Sequence, residues 1–168
     1  MTDLTVRVAT PDDVPVWCAL RYDGICRYPG AFIVTPDEAV AIPVEVDARR
    51  LAGGGKFLAF EGADAVGLAA LNPNGISRAR HRAEIGPFYV VDQARGRGVA
   101  DALMEAMCAS AVARGIWQLE LYVNIDNPRA IAFYARHGFV EMGRVPNAIL
   151  GAAGPETDAL MIRTMSQT

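Results

Sequence analysis

Several short segments of the chain alternate apolar and polar residues with a period of two, which is typical of β-strands. The strands predicted on this basis are residues 5–10, 56–61, 65–71, 83–91, 116–123, 140–144 and 158–163. Residues 83–91 are apolar enough for a buried strand, but Gly86 and Pro87 interrupt them. Because proline has no N–H to donate, the pairing of that strand must bulge or stop there.

Other segments have the spacing and the capping residues of helices. The predicted helices run from Pro11, with Thr10 as N-cap, to about Tyr22, over residues 43–51 and 98–114, and from Pro128 to His137. Residues 23–42 contain two glycines and two prolines, so we predict mainly loop or short helix there. Strands and helices do not alternate strictly, which indicates a mixed α and β fold. The length suits a single domain over residues 1–168.

The composition narrows the classes of protein to which the chain can belong. No apolar run approaches the ~20 residues that span a bilayer, and the first residues lack the features of a signal peptide. We therefore expect a cytoplasmic protein with no membrane partner. A net charge of −3 argues against a nucleic-acid partner. The three cysteines lack metal-ligand spacing, so we expect reduced thiols and no metal.

The segment that follows the interrupted strand and opens a helix reads Arg95, Gly96, Arg97, Gly98, Val99, Ala100. The first N–H groups of a helix lack internal partners, and the helix dipole adds about half a positive charge there. Gly96 and Gly98 let an anion approach the backbone, and Arg95 and Arg97 add positive charge. Residues 95–100 therefore indicate a cradle for a diphosphate, although a basic turn that only caps the helix would contain the same residues.

Two common nucleotide motifs do not fit these residues. A P-loop needs Gly-x4-Gly-Lys-Ser/Thr, which does not occur in the chain. A dinucleotide fingerprint needs a third glycine where this chain has Asp101. A second basic group precedes the interrupted strand and is interpreted as either a solvated loop or a landing site for an anionic ligand; it consists of Arg78, Arg80, His81 and Arg82.

Two motifs make the chain resemble the GCN5-related N-acetyltransferase (GNAT) superfamily. The family signature Gln/Arg-x-x-Gly-x-Gly/Ala is matched by Arg95, Gly98 and Ala100. The signature Asn-x-x-Ala-x-x-Phe/Leu-Tyr-x-x-x-Gly-Phe is matched by Asn127, Ala130, Phe133, Tyr134, Gly138 and Phe139. The order and spacing of the predicted elements fit the family over nearly the whole chain.

The resemblance implies a mixed sheet of six to seven strands, flanked by about four helices, in which strands 4 and 5 splay apart. The pantetheine arm of CoA would enter the gap and pair with the backbone of Phe88, Tyr89 and Val90. Two features of the sequence suit this arrangement independently. The interruption at Gly86 and Pro87 suits a splay, and the polar face of residues 116–123 suits the wall of a channel.

The resemblance also implies that Tyr134 protonates the CoA thiolate as it leaves. The alternative is that Tyr134, like Phe133, only packs its helix against the sheet. Asn127 would hold the pantetheine or cap the helix that begins at Pro128, and both roles can coexist.

An amine that attacks a thioester must lose a proton, which a carboxylate can accept directly or through water. The candidates are Glu84, at the start of the interrupted strand, and Glu120, on the polar face of the next strand. Either glutamate can instead be a solvated or ion-paired strand residue. His81 is a third candidate, and His137, at a helix end, is interpreted as structural.

These expectations describe an acetyl-CoA-dependent N-acetyltransferase that works by direct attack in a ternary complex. The alternative is an acyl-CoA-binding regulatory module without turnover. The acceptor would be a primary amine of a small molecule or peptide, such as an aminoglycoside, a polyamine, an amino acid or a protein N-terminus. Its pocket would be built from the least patterned segments, residues 21–42, 72–82 and 144–157. Because the family often forms dimers, a homodimer is one assembly that the resemblance allows.

Overall fold

A computed structural model describes residues 3–166 and shows a seven-stranded sheet with helices on both faces. The strands are β1 (Leu4–Val8), β2 (Lys56–Glu61), β3 (Asp64–Pro73), β4 (Arg82–Val90), β5 (Gln118–Asn124), β6 (Val140–Gly151) and β7 (Gly154–Thr164). The helices are α1 (Val14–Arg27), α2 (Pro36–Ala41), α3 (Val44–Ala52), α4 (Val99–Ala113) and α5 (Pro128–Arg136). The spatial order β1-β2-β3-β4-β5-β7-β6 confirms the predicted mixed α and β fold. No helix among the described residues is long and apolar enough to cross a membrane.

Within the described sheet, β4 and β5 form the parallel pair, and their pairing is short. It joins residues 82–84 of β4 to residues 118–120 of β5. Just beyond, the register of β4 on β3 shifts between Ala69 and Leu71, opposite Gly86 and Pro87. From Phe88 onward β4 continues beside β3 without pairing to β5. The predicted splay of strands 4 and 5 is therefore confirmed, and the interruption lies where the strands part.

Two apolar clusters hold the sheet from opposite faces. On one face, α4 buries Leu103 and Met107 against strand residues that include Leu119. On the other face, Trp17 of α1 and Leu51 of α3 pack on the sheet. Burying each such side chain contributes about 1.5–3 kcal/mol. Because β4 supplies residues to both clusters, its path past the splay is set from both sides.

A buried ion pair joins α3 to α1 beneath the second cluster. Asp47 is 1% exposed, and its two carboxylate oxygens accept hydrogen bonds from Arg21 at 2.9 and 2.8 Å. The thiol of Cys18, one of three free cysteines, also donates to Asp47, at 3.3 Å. Burial by itself raises the pKa of Asp47, but the hydrogen bonds from Arg21 and Cys18, together with the charges of Arg21 and Arg50, outweigh it and hold that pKa below its usual value. The carboxylate is therefore charged in the folded protein.

The C-terminal hairpin is the largest departure from the prediction. The strands expected over residues 140–144 and 158–163 extend in the structure over Val140–Gly151 and Gly154–Thr164. Most of β6 is exposed, so its side chains do not alternate between core and solvent in a way that the sequence could reveal. Residues 144–157, expected as an unpatterned wall, are mainly paired strand.

The prediction of mainly loop or short helix over residues 23–42 is correct for the short helix α2 but missed the end of α1. Helix α1 continues through Gly24 to Arg27 and is followed by a short turn and by α2. A Cβ at Gly24 would lie only 2.7 Å from the ring of Phe32. This glycine therefore permits close packing and does not end the helix.

We predict that Asp47→Ala lowers the free energy of unfolding by about 3–5 kcal/mol, because it leaves the buried guanidinium of Arg21 without its partner. Urea denaturation at pH 7 measures this loss. Glu45→Ala, an exposed change on the same helix, is the control and should cost less than about 1 kcal/mol.

The same pair predicts how stability depends on pH. The folded pKa of Asp47 is depressed, so its contribution is complete above the ordinary value of 3.8 and is lost as the pH falls below it. Equal costs for Asp47→Ala and Glu45→Ala at pH 7 would contradict this account of the pair.

Candidate active site

The gap between β4 and β5 opens into a cleft of about 1050 Å³. The N-terminus of α4, Phe88 and Tyr134, residues 28 and 30–32, and residues 153–157 all line it. Of the residues that the sequence singled out, the cleft is lined by Phe88, Tyr89, Val90, Arg95, Gly96, Gly98, Val99, Ala100, Asn127 and Tyr134. Residues from two distant motifs thus meet at one cavity.

The cradle is built mainly from backbone. Gly98 is the N-cap of α4 with φ +84°, and Gly96 has φ +74°. A Cβ built at either glycine would meet no atom within 4 Å. The positive φ values therefore require glycine, while the space in front of the backbone is open. The N–H groups of the first helical turn, beginning at Val99, point out of the helix end without intrahelical partners, as an anion site requires.

The arginine side chains of the cradle are engaged with protein groups. Arg95 donates to the carbonyl of Val90 at 3.1 Å and to the hydroxyl of Tyr28 at 2.7 Å, and it lies 2.9 Å from the Asp92 carboxylate. Arg97 pairs with Glu61 at 2.9 Å. Both arginines of the predicted cradle therefore face a carboxylate of the protein, Asp92 and Glu61.

A hydrogen-bonded chain links the cradle to the end of α1. The hydroxyl of Tyr28 donates to Asp92 at 2.5 Å, and the Arg95 guanidinium stacks 4.4 Å from the Tyr28 ring centre. The hydroxyl of Tyr89 donates to Asp23 at 2.5 Å, and this bond holds the pKa of Asp23 below its usual value. The sequence analysis did not find these contacts, because their partners are more than 60 positions apart in the chain.

Strand register decides which backbone groups of β4 face the gap. Val91 donates its N–H to Val66 of β3, so by alternation the N–H and C=O of Tyr89 also face β3. The backbone groups of Phe88 and Val90 face the opposite edge, where β5 has diverged. The prediction that three consecutive residues would present their backbone to a ligand is therefore narrowed to Phe88 and Val90.

Tyr134 lies in the wall of the cleft within a group of aromatic rings. Its ring centre is 6.2 Å from that of Phe88, 5.3 Å from that of Phe133 and 5.7 Å from that of Phe139. These contacts fix the ring without using the hydroxyl. Burial raises the pKa of Tyr134, so its hydroxyl keeps its proton at neutral pH.

Asn127 caps α5, which is one of the two roles predicted for it from the sequence. Its side-chain oxygen accepts the N–H of Ala130 at 3.1 Å. At the other end of α5, the His137 ring contacts Asp101 of α4 at 2.8 Å, and Arg136 pairs with the same carboxylate at 2.6 Å. These contacts join α5 to the first turn of α4 and are consistent with a structural role for His137.

The two glutamates proposed as proton acceptors lie together but outside the cleft lining. Glu84 and Glu120 are paired in register at the last rung before β4 and β5 part. Glu84 is exposed, and Glu120 pairs with Arg82 at 2.7 Å. His81 stacks on Trp117 with ring centres 4.3 Å apart, so the basic group at residues 78–82 lies apart from the cradle. The described residues include no group of three or more His, Cys, Asp or Glu that could hold a metal.

Two polar residues of the cleft lining were not singled out from the sequence. Asn124 and Glu156 line the cleft and are joined by a hydrogen bond. Asp158 is buried nearby on β7. Glu156 and Asp158 belong to a strand whose length the pattern did not reveal, and Asn124 is the last residue of β5. Extending the strand predicted over residues 158–163 by two residues toward the N-terminus would have included Glu156.

Comparison with known families identifies the class of protein. The family model described as the acetyltransferase (GNAT) family matches residues 25–139. The chain therefore belongs to the GNAT acetyltransferase family, which uses acetyl-CoA.

Two relatives of this chain are mycothiol acetyltransferases. A mycothiol acetyltransferase of Streptomyces scabiei is 30% identical over 145 residues, which are 82% of this chain and 43% of that protein. One of Jonesia denitrificans is 38% identical over 87 residues, which are 52% of this chain and 27% of that protein. The chain thus spans less than half the length of these relatives.

Solved structures share the fold at low identity. A GNAT-family acetyltransferase from Streptococcus pneumoniae superposes with a TM-score of 0.81 at 20% identity, over 98% of this chain and 100% of that one. The yncA protein of Salmonella typhimurium, solved with its cofactor acetyl-CoA, superposes with a TM-score of 0.80 at 18% identity, over 98% and 95% of the two chains.

We predict that Gly98→Ala lowers the free energy of unfolding by about 1–2 kcal/mol, because an alanine would have to adopt the positive φ of the cradle. Gly75→Ala is the control, since it lies in an exposed loop where a Cβ meets no atom within 4 Å. Its effect should stay within about 0.5 kcal/mol. Urea denaturation of both variants checks the prediction, and equal stabilities would mean that the left-handed backbone at Gly98 is not required.

Proposed function

We propose that this protein is an acetyl-CoA-dependent N-acetyltransferase that transfers an acetyl group to a primary amine of a small molecule or peptide. The observation that carries the proposal is the meeting of three features in one cleft. These are the cradle at the start of α4, the unpaired edge of β4, and the protonated hydroxyl of Tyr134. The proposal places the reaction in the cytoplasm.

The residues of the cleft fit the parts of a CoA thioester. The open backbone at Gly96 and Gly98, with the first N–H groups of α4, would hold the diphosphate. The backbone groups of Phe88 and the N–H of Val90, whose carbonyl already accepts from Arg95, would hydrogen-bond the pantetheine arm as an added strand. Asn127, engaged as the cap of α5, would border the arm. When bound, acetyl-CoA supplies an activated acyl carbon with a thiolate leaving group.

Tyr134 is the proposed general acid. In a direct transfer, the amine nitrogen forms a bond to the acetyl carbon, and the bond from that carbon to sulfur breaks. Tyr134 would deliver its hydroxyl proton to the departing sulfur. Its raised pKa keeps the hydroxyl protonated at neutral pH, so that it can donate to the departing sulfur.

The amine must lose its extra proton before or during attack. Glu84 and Glu120 remain the proposed acceptors, acting through water because neither lines the cleft. Both residues belong to the last rung before the splay, which supports a role at the base of the gap. The ion pair with Arg82 keeps Glu120 oriented.

We predict that Tyr134→Phe lowers kcat about 100-fold or more, because the leaving sulfur loses its proton donor, while KM for acetyl-CoA changes less than about threefold. Release of free CoA thiol with a panel of primary amines measures both constants. Tyr22→Phe, an exposed tyrosine outside the cleft, is the matched control and should retain full activity. If no amine raises thiol release and Tyr134→Phe changes nothing while acetyl-CoA still binds, the protein is a non-catalytic acyl-CoA-binding module.

Substitution of the two glutamates tests the proton acceptor. We predict that Glu84→Gln or Glu120→Gln lowers kcat/KM for the amine at least about tenfold at pH 7. The loss should shrink as the pH approaches the pKa of the acceptor amine, because the amine then enters already deprotonated. The variant that keeps the wild-type pH profile is the control for the variant that does not. Two wild-type profiles would exclude both glutamates as proton acceptors.

A further inference from the structure

One part of the cleft lining contains a carboxylate in a defined position. We call this part the acceptor end and define it by residues 28–32, Asn124 and residues 153–157, which line the cleft apart from Pro29. Glu156 is the charged residue of this set. We assign the acceptor amine to this part of the cleft, so its chemistry bears on which amines can enter.

The position of the Glu156 carboxylate depends on one hydrogen bond and on the space left by two glycines. The side-chain amide of Asn124 donates to its Oε2 at 2.5 Å. A Cβ at Gly30 would lie 3.1 Å from the same oxygen, and a Cβ at Gly151 would overlap the other oxygen. Two glycines therefore leave the space that the carboxylate occupies, and the position of Glu156 depends on their lack of side chains.

A second carboxylate lies buried beside Glu156. Asp158 is two positions along β7 and is paired in register with Asn124, so all three side chains share one face of the sheet. Asp158 is 7% exposed, and no described residue forms a hydrogen bond with its Oδ1. Burial and then the charge of Glu156 raise the pKa of Asp158. A cation that entered here would compensate both carboxyl groups.

No positive side chain balances these carboxylates within the acceptor end. Residues 28–32, Asn124 and residues 153–157 include no Lys, Arg or His. The arginines that line the rest of the cleft belong to the cradle and to α5: Arg95, Arg129 and Arg136. Two of them already face the carboxylates of Asp92 and Asp101. Arg95 contacts Tyr28 of the acceptor end but already faces Asp92, so an anionic group placed beside Glu156 would meet a carboxylate at close range.

We propose that the acceptor end selects amines that carry no carboxylate beside the amino group, with Glu156 pairing to the ammonium as it enters. Amide-flanked peptide amines, amino sugars and diamines meet this condition, whereas free α-amino acids do not. The proposal rests on the proposed acetyltransferase function and narrows its acceptor. It follows from the placement of Glu156 between Gly30 and Gly151 and from the absence of cations at the acceptor end.

Matched pairs of amines test the selection. Glycine is compared with glycinamide, and L-alanine with L-alaninamide, in the assay of CoA thiol release. We expect the wild-type protein to prefer each amide at least about tenfold in kcat/KM, and Glu156→Gln to reduce that preference at least about fivefold, mainly through KM. An amide group also lowers the pKa of the neighbouring amine and so changes its intrinsic reactivity. The decisive quantity is therefore the change in the preference for the amide between the wild type and Glu156→Gln, because the intrinsic reactivity of each amine cancels in that comparison.

A second variant moves the carboxylate without removing its charge. Gly151→Ala should displace Glu156 and reduce the preference in the same way as Glu156→Gln. Gly143→Ala, on the same strand with no atom within 4 Å of its Cβ, is the matched control. Glu105→Gln, an exposed carboxylate on α4, is the charge control. Both controls should keep the wild-type ratio.

Binding measured without turnover separates the two proposals. Calorimetric titration of glycinamide and glycine into the CoA-saturated protein should show tighter binding of the amide, and Glu156→Gln should remove the difference. If no amine releases thiol but this binding preference holds, the proposed enzymatic function fails and the selection stands. If amines are acetylated or bound with the same ratio in the wild type and in Glu156→Gln, the selection is overturned.

Discussion

The parallel contact between β4 and β5 covers three residue pairs, and the rest of the site depends on its being so short. Past the last pair the strands diverge, and the backbone edge of β4 is left without a partner in the sheet. Gly86 and Pro87 lie at this point, where proline cannot donate to a ladder and the register on β3 shifts. Two apolar clusters keep β4 in place, so the divergence opens a cleft and does not unravel the sheet.

The cleft has opposite electrical character at its two ends. At the cradle, the helix end and the exposed N–H groups of α4 attract an anion, while Arg95 and Arg97 are already paired with Asp92 and Glu61. At the acceptor end, Glu156 is set among small and aromatic residues. A donor with a diphosphate and an acceptor with an ammonium would each meet a complementary field, which favours a ternary complex in one orientation.

The two ends are also linked through side chains. Tyr28 begins the segment that lines the acceptor end, and its hydroxyl contacts both Arg95 and Asp92 of the cradle region. Tyr89 extends this link to Asp23 of α1. The position of residues 28–32 is thus coupled by direct contacts to the backbone that would hold the donor. Residues 28–32 and the cradle are therefore not positioned independently of each other.

The sequence alone indicated the mixed fold class and the cradle from local features, namely strand alternation and glycines at a helix start. The splay and the choice of Tyr134 came from the resemblance to a family that two short motifs carry, and a proline within strand 4 suited the splay. The tertiary structure decided the contacts between residues that are far apart in the sequence. It paired Arg95 with Asp92 and Tyr28, turned the backbone of Tyr89 toward β3, and extended β7 to Glu156. An exposed hairpin strand needs no apolar alternation, since its pairing comes from backbone hydrogen bonds, so residues 144–157 carried no pattern to read.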